Sequence, residues 1–193
     1  EALADLRERL PQARLLAGAT DIGLWVNKQF RDVGDLIYVG DVAALKRIEV
    51  VDGALEIGAG AALEDAWAAL AARFESLTDV WLRFASPPVR HAGTMGGNIA
   101  NGSPIGDAPP VLMALDATIR LRRGNSGHSS RTIPLSDFYL DYLKNRMAPG
   151  EFLEAIRVPM PADDLRQVRA YKISKRFDCD ISALLGAFSI TLD

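Results

Sequence analysis

An α+β fold is predicted by three features of this chain. Near the N-terminus a strand, a tight turn, a helix and a second strand succeed one another, the βαβ-like order that builds parallel sheet. Further on, Asp52-Gly53 and the Gly124-Asn125-Ser126-Gly127 stretch each sit between apolar runs as hairpin turns, which require antiparallel strands. Between the hairpins, apolar residues recur at helical spacing. At 193 residues the chain is one large domain or two small lobes, and it is long enough to bury about 70% of its unfolded surface.

In order, Leu3, Leu6 and Leu10 mark a short amphipathic helix that stops at Pro11. RLLAGA is a strand, Thr20 and Asp21 are N-cap formers, IGLWVNKQF is helix-compatible and DLIYVG is the second strand. RIEVV and ALEIGAG pair across Asp52-Gly53. Leu63, Ala66, Trp67, Leu70 and Phe74 predict a helix of three turns, and Leu77, Val80, Trp81 and Phe84 continue similarly until Pro87-Pro88. From Pro87 to Pro110 Gly, Pro, Asn and Ser dominate, so a long loop is expected; a loop of that length in a compact domain serves function or is disordered. VLMALDATI is a buried element, TIRLRR and SSRTIPL form the second hairpin, and SDFYLDYL reads as a helix capped by Ser136. FLEAIRVPM, RAYKISKR and the terminal SALLGAFSITLD are three more strands.

Hydrophobic residues make up 49% and charged residues 24%, which excludes disordered, collagen-like and disulfide-scaffold classes. A net charge of −3 without a basic run lacks the footprint of a nucleic-acid binder, although local anion sites stay open. Cys179 is the only cysteine, so no intrachain disulfide, zinc ribbon or Cys-ligated cluster can form within the chain, and a reducing, cytoplasmic compartment is expected. His91 and His128 are poor material for a metal site. The run ISALLGAFSITL is shorter than the ~18 residues a membrane span needs. No secretory signal opens the chain, which starts at Glu1 rather than Met.

Two segments have the makings of a binding site. In LLAGATDIG a strand delivers Gly18 and Ala19 into a turn whose successive N–H groups would face an anion at the positive end of a helix; the same residues also make an ordinary βα turn. In VRHAGTMGGNIANGSPIGD, glycines permit close backbone approach, and Asn98, Asn101, Ser103 and Asp107 offer hydrogen-bonding groups. Met95, Ile99 and Ile105 recur too regularly for a flexible linker. Other patterns fail on detail. Gly58-Ala59-Gly60 begins a dinucleotide fingerprint but Leu63 holds the third glycine position, and Gly97 to Gly102-Ser103 lacks the lysine of a phosphate loop. Trp25, Trp67 and Trp81 lie at the helical spacings of core residues, whereas Phe84 borders the Gly-rich stretch and is the aromatic best placed for a ligand.

LLAGATDIG, FASPPVRHAGTMGGNIANGSPIGDAPP and YKISKRFDCDIS, in that order, resemble the FAD-binding domain of the molybdenum hydroxylase family, bacterial xanthine dehydrogenase small subunits above all. The resemblance implies two α/β lobes of the FAD-binding (PCMH-type) fold with FAD in the cleft: residues 1–52, residues 53–162 with the Gly-rich loop, and 163–193 as the start of a C-terminal lobe. It implies a first flavin loop of Leu15, Leu16, Ala17, Gly18, Ala19, Thr20, Asp21 and Ile22, with Gly18 to Asp21 at the pyrophosphate; because a carboxylate there would repel the phosphates, Asp21 is expected to cap its helix with the carboxylate turned away. Thr94, Met95, Gly96, Gly97 and Asn98 would form the second loop, Asp107 would hydrogen-bond FAD, and Phe84, Leu153 and Lys172 would complete the pocket; taken without the resemblance, Lys172 is a solvated strand residue. No side chain is expected to act as a nucleophile. Asp178 followed by Cys179 departs from the paired acids often found in the family. The implied partners are an iron-sulfur domain, a molybdopterin-binding subunit and NAD⁺; the alternatives are a hydroxylase of another heterocycle, an aldehyde or carbon monoxide, or a non-enzymatic nucleotide- or partner-binding module.

Overall fold

The computed structural model describes residues 2–124, 130–160 and 166–191. Residues 125–127 of the second predicted turn, His128 and the division at 162/163 lie outside the described residues.

Helix α1 (Ala2–Arg9) precedes strand β1 (Arg14–Leu16), helix α2 (Ile22–Asn27) and strand β2 (Leu36–Tyr38). β1 and β2 pair in parallel, Leu15 opposite Ile37, so the predicted βαβ unit forms. It is thin. Each strand has three residues, and α2 buries none of its own. Ala4, Ala13, Ile37, Val39 and Leu45 gather with Phe152 in a small separate core.

Strands β3 (Ile48–Val51) and β4 (Ala54–Gly58) are joined at Asp52 and Gly53, both with positive φ (46° and 71°), the conformation that a two-residue hairpin demands. The predicted division at 52/53 falls at this turn. Helices α3 (Leu63–Ala71), α4 (Thr78–Arg83), α5 (Pro87–Ala92), α6 (Met95–Asn101) and α7 (Ala108–Ala114) follow. After them come β5 (Thr118–Arg122), β6 (Ser130–Pro134), β7 (Tyr139–Asp141), β8 (Lys144–Asn145), β9 (Phe152–Pro159), β10 (Arg166–Ile173) and β11 (Leu184–Thr191). Five of these strands form an antiparallel sheet in the order β3-β4-β9-β5-β6.

Alternation along the strands sorts the sheet into two faces. Leu55, Ile57, Ile119, Ile156 and Val158 join Leu63, Trp67, Leu70, Val111 and Leu112 of the helices in the main core. On the outer face Arg120 bonds both carboxylate oxygens of Glu56, at 3.1 and 2.7 Å, and Glu154 at 2.8 Å, while Arg122 adds a second bond to Glu154. The register shifts at Arg120/Leu121, which face Ala155 and Leu153, so Glu154 is the extra residue of a bulge. β10 and β11 make a separate antiparallel ribbon that sends Val168 and Ala170 into the main core.

Two sequence expectations are overturned. The stretch from Pro87 to Pro110 is mostly helical rather than a long loop. Pro87 and Pro88 open α5 and prolines open α7, because proline at the first helical positions forfeits an N–H that would be unpaired anyway. SDFYLDYL is not a helix capped by Ser136: Leu135–Asp137 is a single 3-10 turn, and β7 and β8 form a small hairpin. Only Leu135 and Phe138 are fully buried there, while Leu140, Tyr142 and Leu143 face outward, so no helical stripe had a core to enter.

Candidate functional site

The two Gly-bearing loops, far apart in sequence, meet at Gly18. A Cβ added there would lie 1.6 Å from the carbonyl oxygen of Ala92 and 3.1 Å from the nitrogen of Gly93. Only a residue without a side chain lets the first loop lie flat on the α5–α6 corner. Leu15, Leu16 and Ala17 are half-buried on the strand side, with Leu15 and Ala17 packed on the small core. Ala19 adopts φ 58°, and its carbonyl accepts from Gly23 at 2.8 Å. Among the described residues the N–H groups of Gly18, Ala19, Thr20 and Asp21 make no hydrogen bond. A left-handed residue in such a turn lets neighbouring N–H groups converge into an anion-binding nest. Asp21 occupies the cap position of α2, but its carboxylate does not cap the helix as expected. The backbone at Asp21 is itself helical (φ −97°, ψ −50°), outside the extended conformation that aims a capping side chain back at the first turn. Partial burial raises the Asp21 carboxyl above its ordinary pKa. Ile22 is half-buried and begins α2.

The second loop is the start of a helix. Thr94 Oγ1 accepts from the Gly97 N–H at 3.1 Å and caps α6. Met95 and Ile99, one turn apart, are fully buried, which explains the regular apolar residues among the glycines; Ile105 is exposed. The N–H of Met95 bonds Ala61 and that of Gly96 bonds Ala59, at 3.0 and 2.9 Å. A Cβ on Gly96 would meet Ala59 at 2.4 Å, whereas one on Gly97 would meet only the capping Thr94 oxygen, at 2.9 Å. Gly97 therefore presents open backbone. Beside it, Asn98 Oδ1 is buried without a partner. Tyr139 Oη donates to the carbonyl of Ile99 and Asn145 Nδ2 to that of Ala100, so the β7–β8 hairpin satisfies the far end of α6. Burial raises the Tyr139 pKa, which keeps this donor protonated.

Lys172 is not a solvated strand residue. It is 5% exposed, and Nζ lies 2.5 Å from Asp107 Oδ2; Asp107 Oδ1 accepts from Ser182 Oγ. Among the described residues this is the only hydrogen bond of Nζ, which leaves two of its three donors for another acceptor. Phe84 and Leu153 both lie in the main core, Phe84 tilted on Trp67 with ring centroids 5.8 Å apart and Leu153 opposite Leu121.

The corner that carries Phe84 is locked by Arg90, 6% exposed, whose Nη1 donates to the carbonyls of Phe84, Ala85 and Leu82. Its Nε bonds Glu64. Burial works against the Glu64 carboxylate, but the Arg90 guanidinium, with help from Trp81 and His91, outweighs it and holds the carboxyl below the usual range. The rejected Gly58-Ala59-Gly60 pattern has a packing role. A Cβ on Gly58 would lie 2.2 Å from the Leu45 carbonyl, and the Gly58 and Gly60 N–H groups bond Arg47 and Leu45. Ser182, Tyr139 and Asn145 were missed from sequence because each acts on a distant segment, and Arg90 because its bonds to nearby carbonyls form only when the α4–α5 corner folds back on it. Thr94 was placed in the site but not as a cap, although Thr94-x-x-Gly97 before the buried Ile99 is a local N-cap signal.

Residues 1–161 match the family of FAD-binding domains in molybdopterin dehydrogenase. The chain is 28% identical to xanthine dehydrogenase of Emericella nidulans over 203 residues and 33% identical to nicotinate hydroxylase of the same organism over 210, covering 100% of this chain and 15% of each relative. Among solved structures, CO dehydrogenase from Oligotropha carboxidovorans superposes with a TM-score of 0.88 at 26% identity, over 99% of this chain and 66% of that one. Quinoline 2-oxidoreductase from Pseudomonas putida 86 gives 0.87 at 21% identity, over 100% and 66%. The two-lobed flavin-domain fold expected from sequence is thus the observed one. The chain spans about a seventh of these curated relatives.

Proposed function

The chain belongs to the family of FAD-binding domains in molybdopterin dehydrogenases, and on that premise we propose that it is the electron-transferring flavin domain of a xanthine dehydrogenase-like molybdenum hydroxylase. The observation that carries the reading is the meeting of the two loops at Gly18, where four N–H groups of the first loop have no partner among the described residues and the chain packs on the Ala92–Gly93 corner that leads into α6. The donor set suits FAD. Unpaired N–H groups and the Thr20 hydroxyl would hold the pyrophosphate, Asn98 Oδ1 would accept from a hydroxyl or amide, and the free donors of Lys172 would meet an acceptor. Leu15, Leu16, Ala17 and Ile22 would carry the first loop, Thr94, Met95 and Gly96 would fix the second, and Asp107 would orient Lys172. Phe84 and Leu153 would act from behind this surface, closing the core beneath it and keeping water out.

When bound, FAD supplies hydride chemistry toward NAD⁺ and accepts single electrons, which we assign to an iron-sulfur domain fed by a molybdopterin-binding subunit. This chain's residues supply binding and orientation, and none acts as a nucleophile. Substrate choice belongs to the molybdopterin partner. The 33% identity to nicotinate hydroxylase supports a second reading, a hydroxylase of another N-heterocycle, served by the same flavin site. The lone Cys179 supports a cytoplasmic enzyme. Among the described residues no helix is long and apolar enough to cross a membrane.

Calorimetric titration of the chain with FAD and with riboflavin tests the site. FAD should bind more tightly by a wide margin, because riboflavin offers the first loop no phosphate. Equal affinities would mean that only the ring is recognised, and no binding of either would leave a bare partner-binding module. An anaerobic spectrum tests the division of labour: NADH should bleach the bound flavin, and bleaching by xanthine without any other protein would sink it.

A further inference from the structure

We infer that Arg83 is a positioning residue that clamps the 174–183 loop onto the candidate site and so keeps Lys172 and Ser182 on Asp107. Arg83 ends α4, next to Phe84, and its side chain is 13% exposed. Among the described residues its only carboxylate partner is Asp79, an exposed neighbour one turn earlier at 3.2 Å, a kind of pair that contributes little. The rest of the guanidinium faces the loop. Nη1 donates to the carbonyl of Lys172 at 2.9 Å, Nη2 to Ser174 Oγ at 3.1 Å and Nε to the carbonyl of Phe177 at 3.3 Å, and the group stacks 4.5 Å above the Phe177 ring. A planar fork of five donors is the side chain that reaches three points of one bend at once.

The loop has little else to hold it. None of residues 173–184 is buried, and Phe177 and Ile181 are 67% and 61% exposed. Its internal bonds, Ser174 Oγ to the Arg176 carbonyl and Arg176 to Asp180, shape the bend without fixing it to the body. At its far end the Ala183 N–H closes on Ile173, and Ser182 Oγ reaches Asp107. Arg83 therefore secures the front of the loop and Asp107 the back. The two are linked through Lys172, whose carbonyl meets Arg83 and whose ammonium meets Asp107.

The second half of the test rests on the proposed FAD site; the first half does not. Cys179, exposed and unique, lies at the loop's tip and carries a nitroxide label without any other cysteine to compete. In Arg83→Ala the label should become markedly more mobile, and tryptic cleavage after Lys175 or Arg176 should rise about tenfold or more, since a loop without its charged donor opens locally. Asp79→Ala should change neither. Arg83→Lys, which keeps one donor, should fall between wild type and Arg83→Ala. The Kd for FAD should rise in the same order. Unchanged label mobility and cleavage in a folded Arg83→Ala chain, verified by its circular dichroism, would overturn the clamp. A mobile loop with an unchanged FAD Kd would overturn its link to Lys172 and Asp107. Should Arg83→Ala not fold, Phe177→Ala removes the stacking alone and must still loosen the label. Failure of the wild-type chain to bind FAD would count against the site, while the label and protease results would still decide the clamp.

Discussion

The first loop hangs from a parallel pair of three-residue strands beside a small core of Ala4, Ala13, Ile37, Val39, Leu45 and Phe152. The second is the capped first turn of a helix whose Met95 and Ile99 are fully buried in the main core. Both offer open backbone, yet only one is anchored. Apolar burial at about 25 cal/mol per Å² strongly favours the side with the larger core, so local opening should be cheaper on the N-terminal side. The lesson is that this site is assembled from a rigid half and a lightly held half, joined where Gly18 lies on Ala92, and that a ligand spanning both should stabilise the weaker one.

The harshest way to break that joint is Gly18→Val. The new side chain would overlap the Ala92 carbonyl, so the loops must part at an overpacking cost of about 1–3 kcal/mol. FAD binding should be abolished. Hydrogen exchange should show faster opening of residues 14–38 with the five-stranded sheet still protected; a protected N-terminal unit with full FAD occupancy would show the halves to be independent. Thr94→Ala acts on the anchored half. It removes one cap bond and should cost about 1 kcal/mol in denaturant unfolding, with FAD weakened rather than lost. By contrast, Gly97→Val meets little beyond the capping oxygen and should strip FAD while leaving the melting temperature near wild type, which flavin content per folded chain will show.

Proton linkage sharpens the comparison, because the two halves carry carboxyls shifted in opposite directions. Glu64 is held below its usual range despite burial, so its stabilising contribution is present above the ordinary glutamate pKa and is lost as pH falls through the lowered one. Glu64→Gln should flatten the acid limb of the pH–stability curve. Asp21 is raised by burial, so the folded state holds its proton more tightly and stability declines as pH rises from the ordinary aspartate pKa through the raised one. Asp21→Asn should remove that decline and give the smallest change of the set, visible in exchange of the first loop. The same slope in both variants would mean that these groups do not report on separate halves.

Reading the sequence was most successful where the signal is local. Asp52-Gly53 specifies a turn because two consecutive residues must accept positive φ, and period-two burial in β10 is visible in the residues themselves. The βαβ unit, the two glycine loops and the lysine strand were legible for the same reason. Pro87 to Pro110 was misread because proline marks a helix start as readily as a stop, and which one holds depends on whether the next turn finds a core. SDFYLDYL carries both periods, and its hairpin was settled by the carbonyls of α6 that Tyr139 and Asn145 satisfy.

By itself the sequence determined the composition of the site: where the glycines stand, which residues can cap, and which lysine the RAYKI strand carries. Tertiary structure alone decided how these were used. It turned Gly58 and Gly60 to packing against Leu45, withdrew the Asp21 carboxylate from capping, put Phe84 and Leu153 in the core, and buried Lys172 against Asp107. The physical reason is that a residue type limits what a position can donate, accept or fit. Whether a donor stays free depends on groups tens of residues away in the chain, which meet it only when the sheet and its helices close around one core.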